Sequence, residues 1–232
     1  MRHRLKYSVL VVDDHSIVRL GLVTLLSAAP QIGEVLQAPN LVTARKLLES
    51  NRIDAIVCDL TLPDGNGIEF ASELRTKGAK VKLLMLSMHD ERVFAERALR
   101  AGASGYLMKD EADTSLIGAI ERVLGGEIAL SSAMHIALLQ RIRTESSHTS
   151  GLAALSDREL GILTLMGHGK SSKEIAFELS LSLRTVEAHR ANIKRKLELR
   201  TGAEVAAFAI SFVRPTMSRE PPHLRKKTLL AS

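Results

Sequence analysis

The sequence predicts two folded domains: an α/β domain built on a doubly wound, five-stranded parallel sheet, and a smaller all-α domain of four helices. Short apolar runs alternate with helix-like stretches over residues 1–125. Such alternation is typical of a parallel sheet covered by helices on both faces. After Gly125 and Gly126 the strand pattern does not return. Instead, residues 156–213 repeat helix-capping signatures, each followed by apolar residues at helical spacing.

Five strands and five helices are expected in the first domain. The strands are predicted where apolar or β-branched residues run without a helical period, at Ser8–Val12, Glu34–Leu36, Ala55–Cys58, Val81–Leu86 and Ser104–Leu107. The helices are predicted at Ser16–Ser27, Leu41–Glu49, Ile68–Lys77, Glu91–Arg100 and Ala112–Leu124. Ligands of a doubly wound sheet bind outside the carboxyl ends of its strands. Candidate site residues are therefore sought where the strands end.

Capping boxes predict three helices of the second domain, because a Ser or Thr at the helix start and a Glu three residues later satisfy each other's backbone N–H groups. The pairs are Ser156 with Glu159, Ser171 with Glu174, and Thr201 with Glu204. A fourth helix is expected to begin near Ser182. We therefore divide the chain into residues 6–126, 127–151, 152–214 and 215–232. The second part would hold a helix over Ser131–Arg143 and a polar linker, and the fourth a basic disordered tail.

Composition and charge exclude several classes of protein. A single cysteine rules out a disulfide framework, and only five Phe and two Tyr argue against binding bases on an aromatic platform. The longest clean apolar run, Val205–Ile210, is far too short to span a bilayer, so we expect a cytoplasmic protein without a membrane partner. Residues 1–130 carry 16 Lys and Arg against 17 Asp and Glu, whereas residues 131–232 carry 16 against 9. The basic second half favours nucleic acid as its partner.

Charged and hydroxyl side chains follow four of the five predicted strands. Asp13 and Asp14 come after the first strand, Asp59 after the third, Ser87 after the fourth and Lys109 after the fifth. Carboxylates gathered at one sheet edge repel one another unless a cation lies among them, and hard oxygen ligands in an open arrangement suit Mg²⁺. The alternative is that the carboxylates only end strands and cap helices.

Residues 6–126 resemble the receiver domain of two-component response regulators. The resemblance is carried by the strand-end residues above, by Tyr106, and by the segment Asp59-Leu-Thr-Leu-Pro63-Asp-Gly-Asn-Gly67. It implies a flavodoxin-like fold in which Asp59 accepts a phosphoryl group from a histidine kinase, and a protein that is not an enzyme apart from slow autodephosphorylation. Leu62 and Asp110 differ from the residues common in the family and concern loop geometry.

The resemblance also implies a role for each strand-end residue. The groups expected to hold Mg²⁺ are the carboxylates of Asp14 and Asp59 and the backbone carbonyl of Thr61, with Asp13 contributing through water. The residues expected to bind the phosphoryl group or to switch with it are Ser87, Tyr106 and Lys109. Aspartyl phosphate adds about −1.5 to −2 charges and three acceptor oxygens. We expect these to remodel the surface around Glu91–Arg100 and Ser104–Tyr106. Thr61 and His89 are expected to influence how fast the acyl phosphate hydrolyses.

A short connection joins two predicted helices of the second domain, Ser171–Ser180 and Ser182–Leu197, as in a helix-turn-helix. The residues predicted on the outer face of the second helix are Arg184, Glu187, Ala188, Ala191, Lys194 and Arg195. Small alanines let such a helix enter a major groove, and flanking cations meet phosphates. Ala188 would contact a thymine methyl and Glu187 a cytosine amino group. The alternative is an ordinary solvated helix face.

Residues 155–212 resemble the LuxR-type helix-turn-helix domain. The motifs that carry the resemblance are Leu155-Ser-Asp-Arg-Glu159, Lys173-Glu-Ile-Ala176, Thr185-Val-Glu-Ala-His-Arg190 and Lys196-Leu197. It implies that Ser182–Leu197 is the recognition helix and that Thr201–Val213 contributes to a dimer. It adds candidate DNA contacts at Lys173, Thr185, His189, Arg190 and Lys196. For His189 two alternatives remain, a phosphate contact and packing of the imidazole against the domain.

Together the two resemblances identify the chain as a member of the NarL/FixJ family of response regulators. We therefore expect phosphorylation of Asp59 to control dimerisation and promoter binding, with RNA polymerase as a further partner. Two alternatives remain open. An aspartate-nucleophile phosphohydrolase would use the same Mg²⁺ pocket, although Asp13, Asp14 and His15 lack the usual Asp-x-Asp arrangement. A regulator controlled by protein contacts alone would need no phosphorylation.

Overall fold

The computed structural model describes residues 6–88, 91–136, 152, 154–179 and 181–213. The chain divides into two compact units, Met1–Ser150 and Gly151–Ser232. His89, most of the predicted linker and the C-terminal tail lie outside the described residues, and of the helix predicted over 131–143 only residues 132–136 are described as helical. Within the described ranges, no helix is long and apolar enough to cross a membrane.

The first unit contains a five-stranded sheet in which every neighbouring pair of strands is parallel. Its strands are β1 (Tyr7–Val12), β2 (Ile32–Ala38), β3 (Ala55–Asp59), β6 (Lys82–Ser87) and β7 (Gly105–Met108), in the order β2-β1-β3-β6-β7. This confirms the predicted doubly wound parallel sheet and all five predicted strands. Burial along β3 is continuous, as the uninterrupted apolar run predicts for a strand covered on both faces.

Helices cover both faces of the sheet. The five helices of this unit are α1 (Ser16–Ser27), α2 (Leu41–Ser50), α3 (Gly67–Thr76), α4 (Glu91–Ala101) and α5 (Ala112–Leu124). Residues of α1 and α5 share one core cluster with Val9 and Val57, which point to one face of the sheet. Leu10 and Ile56 point to the opposite face and are also fully buried. There, α2 contacts β1, α3 contacts β6, and α4 contacts β7.

A short antiparallel hairpin, which the sequence did not predict, follows β3. It pairs β4 (Thr61–Leu62) with β5 (Gly65–Asn66). The hairpin is tied to two helices, because Asp64 accepts hydrogen bonds from the N–H groups of Leu41 (3.0 Å) and Val42 (2.8 Å) at the start of α2. At the start of α3, Asn66 accepts a bond from the Ile68 N–H at 2.7 Å. These two caps fix the loop that immediately follows Asp59.

Four helices form the described core of the second unit: α6 (Asp157–Gly167), α7 (Ser172–Glu178), α8 (Leu183–Lys196) and α9 (Gly202–Val213). The predicted capping boxes at Ser156 and Ser171 are both present. At α9, Glu204 donates its N–H to the Thr201 hydroxyl, but its carboxylate accepts from the Arg200 N–H at 2.8 Å. The connection between α7 and α8 closes with a bond of 2.8 Å from the Leu181 N–H to the Ala176 carbonyl. The helix-turn-helix prediction is therefore confirmed.

We predict that Gly67→Ala destabilises the first unit by about 1–3 kcal/mol, because the added Cβ would lie 2.5 Å from the Asp59 carbonyl oxygen and 2.9 Å from the Met85 sulfur. Urea unfolding followed by tyrosine fluorescence measures this, since both tyrosines, Tyr7 and Tyr106, belong to the first unit. Gly118→Ala is the matched control. Its Cβ meets nothing within 4 Å on α5, so unfolding should become harder by about 0.5–1 kcal/mol. Equal effects of the two substitutions would contradict the close approach at Gly67.

Candidate functional site

The predicted strand-end residues converge at one edge of the sheet. Strands β1, β3, β6 and β7 are consecutive neighbours and parallel, so their carboxyl ends lie side by side. Asp13 and Asp14 follow β1, Asp59 ends β3, Ser87 ends β6, and Lys109 follows β7. Asp13, Asp59 and Ser87 are buried, with 1%, 6% and 1% of their surface exposed.

Lys109 joins two of the carboxylates directly. Its Nζ lies 2.7 Å from Asp13 Oδ2 and 2.7 Å from Asp59 Oδ2. Burial alone would lower the pKa of Lys109, but the charges of Asp59 and Asp13 and their hydrogen bonds outweigh burial and raise it. The ammonium group therefore stays charged, and it neutralises part of the repulsion between the two carboxylates.

Burial raises the pKa of Asp59 to about 6. The charge of Lys109 and its hydrogen bond oppose this shift, the charge of Asp13 adds to it, and the Thr61 N–H opposes it by donating to Asp59 Oδ1 at 3.3 Å. Asp59 is therefore poorly solvated and held in place by the groups around it. A desolvated carboxylate of this kind is stabilised when a cation or an electrophilic group approaches it.

Ligand atoms of Asp13, Asp14, His15 and Asp59 lie within 4.8 Å of one another, which suits a single metal ion. Three of the four are carboxylates, the ligands that Mg²⁺ prefers. The turn that presents them is fixed because the His15 N–H donates to Asp13 Oδ1 at 2.8 Å and the Arg19 guanidinium donates to the Asp13 carbonyl at 2.6 Å. The sequence did not point to His15, whose Nδ1 lies 2.8 Å from Asp14 Oδ1. Its position directly after the two aspartates was the available signal.

The two predicted switch residues with hydroxyl groups lie on adjacent strands. Ser87 is the last residue of β6, and Tyr106, with 1% of its surface exposed, lies inside β7. Strand pairing sets Met85 against Tyr106 and Ser87 against Met108. The structure thus places Ser87 at the carboxyl edge with the carboxylates, and Tyr106 in the interior behind it.

Helix α8 of the second unit presents an exposed polar face. All six residues predicted on its outer face are exposed: Arg184, Glu187, Ala188, Ala191, Lys194 and Arg195. Asn192 is exposed as well, and with Ala188, Ala191 and Arg195 it completes the i, i+3, i+4, i+7 spacing of one helix face. Sequence reasoning missed Asn192 because it selected charged and small residues, although this spacing would have found it. Lys173 is exposed in the first turn of α7.

Three of the other candidate DNA contacts have partners inside the unit, namely Thr185, Arg190 and Lys196. Arg190 donates to the Ser172 hydroxyl on α7, and the Thr185 hydroxyl lies 2.7 Å from that of Ser182. Lys196 Nζ lies 2.6 Å from Glu159 Oε2, and Glu159 is buried at the start of α6. The His189 ring is half-buried, and burial lowers its pKa. Arg190 and Lys196 thus hold α8 against α7 and α6. The contact of all four side chains with DNA stays a prediction.

Burial alone would raise the pKa of Glu159, but the Lys196 ammonium and the hydrogen bonds from Ser156 outweigh burial and hold it below its ordinary value. The Glu159–Lys196 ion pair therefore stabilises the ionised carboxylate while it joins the first turn of α6 to the last turn of α8. Glu159 also accepts the Ser156 N–H at 2.8 Å, as part of its capping box.

The fold and the site define a class of protein: an α/β receiver domain with an acidic pocket, joined to a helix-turn-helix domain whose second helix has a basic, exposed face. Residues 9–121 match the family model of the response regulator receiver domain, and residues 153–209 match that of bacterial regulatory proteins of the luxR family. The chain belongs to the NarL/FixJ family of response regulators, DNA-binding proteins that regulate transcription. This confirms the family predicted from the sequence.

Two relatives illustrate how far the similarity extends. The chain is 33% identical over 213 residues to the DNA-binding transcriptional activator DevR/DosR of Mycobacterium tuberculosis, covering 92% of this chain and 97% of the relative. It is 33% identical over 202 residues to the nitrate/nitrite response regulator NarL of Escherichia coli, covering 87% and 94%. In fold it is similar to RcsB of Salmonella enterica serovar Typhimurium, solved bound to the promoter rprA, with a TM-score of 0.58, 21% identity and coverage of 88% and 98%.

We predict that Lys109→Met raises the pKa of Asp59 above its value of about 6, because the charge and hydrogen bond of Lys109 oppose the effect of burial. Titration of the Asp59 carboxyl carbon by NMR, without divalent cations, measures this. The control is Lys82→Met at the opposite end of β6, which should leave the Asp59 pKa unchanged. A fall of the Asp59 pKa to its ordinary value in the Lys109 variant would contradict the described geometry.

A second prediction concerns the Glu159–Lys196 ion pair. Lys196→Met should destabilise the second unit by about 1–3 kcal/mol, because it leaves a buried carboxylate without its charged partner. Since the pKa of Glu159 is lowered, the ion pair's contribution is complete above the ordinary value of 4.5 and is lost as the pH falls through the folded value. Hydrogen exchange of α6 and α8 peptides, followed in urea by mass spectrometry, measures the stability.

Lys194→Met is the matched control for this experiment, because Lys194 is exposed two residues earlier on α8. We expect it to leave exchange in α6 unchanged and to weaken DNA binding, by loss of a phosphate contact. Equal stability of the two variants would show that the ion pair contributes nothing to the unit.

Proposed function

We propose that Asp59 accepts a phosphoryl group from a sensor histidine kinase and that its phosphorylation controls binding of the second unit to promoter DNA. The observation that carries this proposal is the buried Asp59 carboxylate, held 2.7 Å from the Lys109 ammonium at the carboxyl edge of the sheet. In the transfer, a carboxylate oxygen of Asp59 forms a bond to phosphorus as the bond from phosphorus to the kinase histidine breaks. Lys109 is proposed to pair with the phosphoryl oxygens throughout.

The pocket fits Mg²⁺, with Asp13, Asp14, Asp59 and the backbone carbonyl of Thr61 as the proposed binding groups. Three clustered carboxylates are the donor set that this ion prefers, and burial leaves Asp13 and Asp59 with little solvent to stabilise their charges. When bound, Mg²⁺ would offset the negative charge that the phosphoryl oxygens bring to the pocket. Lys109 and the Thr61 N–H keep Asp59 oriented toward the edge of the sheet.

Phosphorylation would change the surface that α4 and β7 form next to the pocket. The phosphoryl group adds about −1.5 to −2 charges and three strong acceptors. The Ser87 hydroxyl, at the carboxyl edge, is proposed to donate to one of them, and Tyr106 is buried on the neighbouring strand. Because β6 leads into α4 and Tyr106 lies on β7, a shift of these residues changes the face that α4 and β7 form together.

In the second unit, α8 is proposed to read the major groove. Ala188 and Ala191 allow close approach, with Glu187 and Asn192 beside them as candidate base contacts, since Asn pairs well with adenine. Cations on the same surface would contact phosphates, namely Lys173, Arg184, Lys194 and Arg195. Thr185, His189, Arg190 and Lys196 would mainly position the helix. DevR/DosR, at 33% identity, is itself a DNA-binding transcriptional activator, which supports the proposal.

Several finer features belong to the same proposal. The phosphorylated protein is proposed to form a homodimer through α9 and to bind two half-sites. We further propose contact with RNA polymerase, a cytoplasmic location, slow autodephosphorylation, and the division of the chain into residues 6–126, 127–151, 152–214 and 215–232.

The central test is phosphorylation of the full chain by acetyl phosphate with Mg²⁺, followed by intact mass. We expect one added phosphoryl group in the wild type and in Asp113→Asn, an exposed aspartate on α5, but none in Asp59→Asn. For DNA selected from a random pool, we expect phosphorylation to tighten binding by about 5- to 150-fold.

Three results would contradict the proposal. Absence of an added phosphoryl group in the wild type would show that the chain does not accept one. A phosphoryl group that persists in Asp59→Asn would move the acceptor elsewhere. Steady turnover of phosphomonoesters would instead indicate a phosphohydrolase.

A further inference from the structure

The chain that leaves α5 returns to the sheet and pairs with its edge strand. The Ala129 N–H donates to the Ser104 carbonyl at 3.1 Å, and the Tyr106 N–H donates to the Ala129 carbonyl at 2.8 Å. Ala129 is fully buried, and it forms a parallel bridge with Gly105. We call residues 129–136 the linker anchor, because they precede the chain that leads to the second unit.

Gly105 makes this pairing possible. A Cβ at position 105 would lie 2.5 Å from the Ala129 carbonyl oxygen and 2.8 Å from the Ala129 Cβ. The linker anchor thus approaches the backbone of β7 more closely than any side chain at position 105 would allow. It is bound directly to the strand that carries Tyr106.

A second contact attaches the linker anchor to α4. Glu91, in the first turn of α4 and with 9% of its surface exposed, accepts the Ser131 N–H on Oε1 at 2.9 Å. The Ser131 hydroxyl donates to Oε2 of the same carboxylate. Burying a carboxylate is costly unless hydrogen bonds satisfy it, and here one residue supplies a bond to each oxygen. We call these two bonds the Glu91–Ser131 latch.

Ser131 also begins the helical part of the linker anchor. Its hydroxyl accepts the Met134 N–H at 3.1 Å, and its carbonyl accepts the His135 N–H at 3.0 Å. Met134 is buried, with 1% of its surface exposed. The residue that Glu91 holds is therefore the cap of the segment that continues toward the second unit, so loss of the latch would loosen that cap.

We propose that the Glu91–Ser131 latch transmits the phosphorylation state of Asp59 to the linker, and that phosphorylation opens it. This rests on the proposed function. Ser87 lies four residues before Glu91, so a Ser87 hydroxyl drawn to the phosphoryl group displaces the first turn of α4. Ser131 does not follow, because Ala129 holds the linker anchor to β7. The carboxylate and its two donors separate, and the linker anchor is released from α4.

Hydrogen exchange of the full chain, read by mass spectrometry on peptides covering residues 131–136, tests this with and without acetyl phosphate and Mg²⁺. In the wild type we expect phosphorylation to speed exchange by about 10-fold or more, the effect of losing one charge-assisted hydrogen bond. Glu91→Gln and Ser131→Ala should exchange fast already and respond little, and Ser131→Thr should restore the wild-type response. The matched control is Glu96→Gln on the same helix, whose carboxylate pairs with Arg100 at 2.7 Å.

The outcomes separate the two levels of the proposal. Intact mass on each sample reports whether Asp59 is phosphorylated, so absence of an added phosphoryl group would contradict the proposed function itself. If phosphorylation is complete but exchange over residues 131–136 does not change in the wild type, the latch proposal is wrong. It is equally wrong if Glu91→Gln and Ser131→Ala respond as Glu96→Gln does.

Discussion

Lys109 places one ammonium group between two buried carboxylates that would otherwise repel each other at the carboxyl edge of the sheet. The arrangement needs the parallel strands of the fold, because β1, β3 and β7 then end at the same edge of the sheet and deliver Asp13, Asp59 and Lys109 to it. It also needs the hairpin after Asp59, which Asp64 and Asn66 tie to α2 and α3. The ion pairs of Lys109 therefore depend both on the sheet topology and on the caps of the loop after Asp59.

In the second unit, too, some cations are held by partners within the fold, whereas others are exposed. Lys196 and Arg190 have partners within the unit, Glu159 and Ser172, and so fix the position of α8. Arg184, Lys194 and Arg195 are exposed and remain available to a polyanion. A helix that reads DNA needs both, because contacts to bases depend on the angle at which the scaffold holds the helix. Net charge alone does not distinguish the two kinds.

Most of the fold could be predicted from the sequence because its elements are long enough to show a period. The bounds of α1 and α5 agree residue for residue with the pattern. The β4–β5 hairpin could not be found this way, since strands of two residues have no period. The predicted ends of the strands identified Asp13, Asp59, Ser87 and Lys109 as members of one cluster. The partner of Lys196 could not be predicted, because Glu159 lies 37 residues away in sequence and only the packing of α6 on α8 brings them together.

The pairing of Ala129 with Gly105 has a practical consequence for anyone who recombines regulators of this kind. Strand β7 is the last strand of the sheet, and Ala129 supplies partners to the backbone groups on its outer side. A chimera joined at Gly126, where the strand-and-helix pattern ends, would strip that cover and leave a bare edge able to recruit another chain. A chimera that keeps the native residues through Ile136 retains Ala129 on the outer side of β7. The junction between the two proteins should therefore lie after Ile136 and not directly after α5.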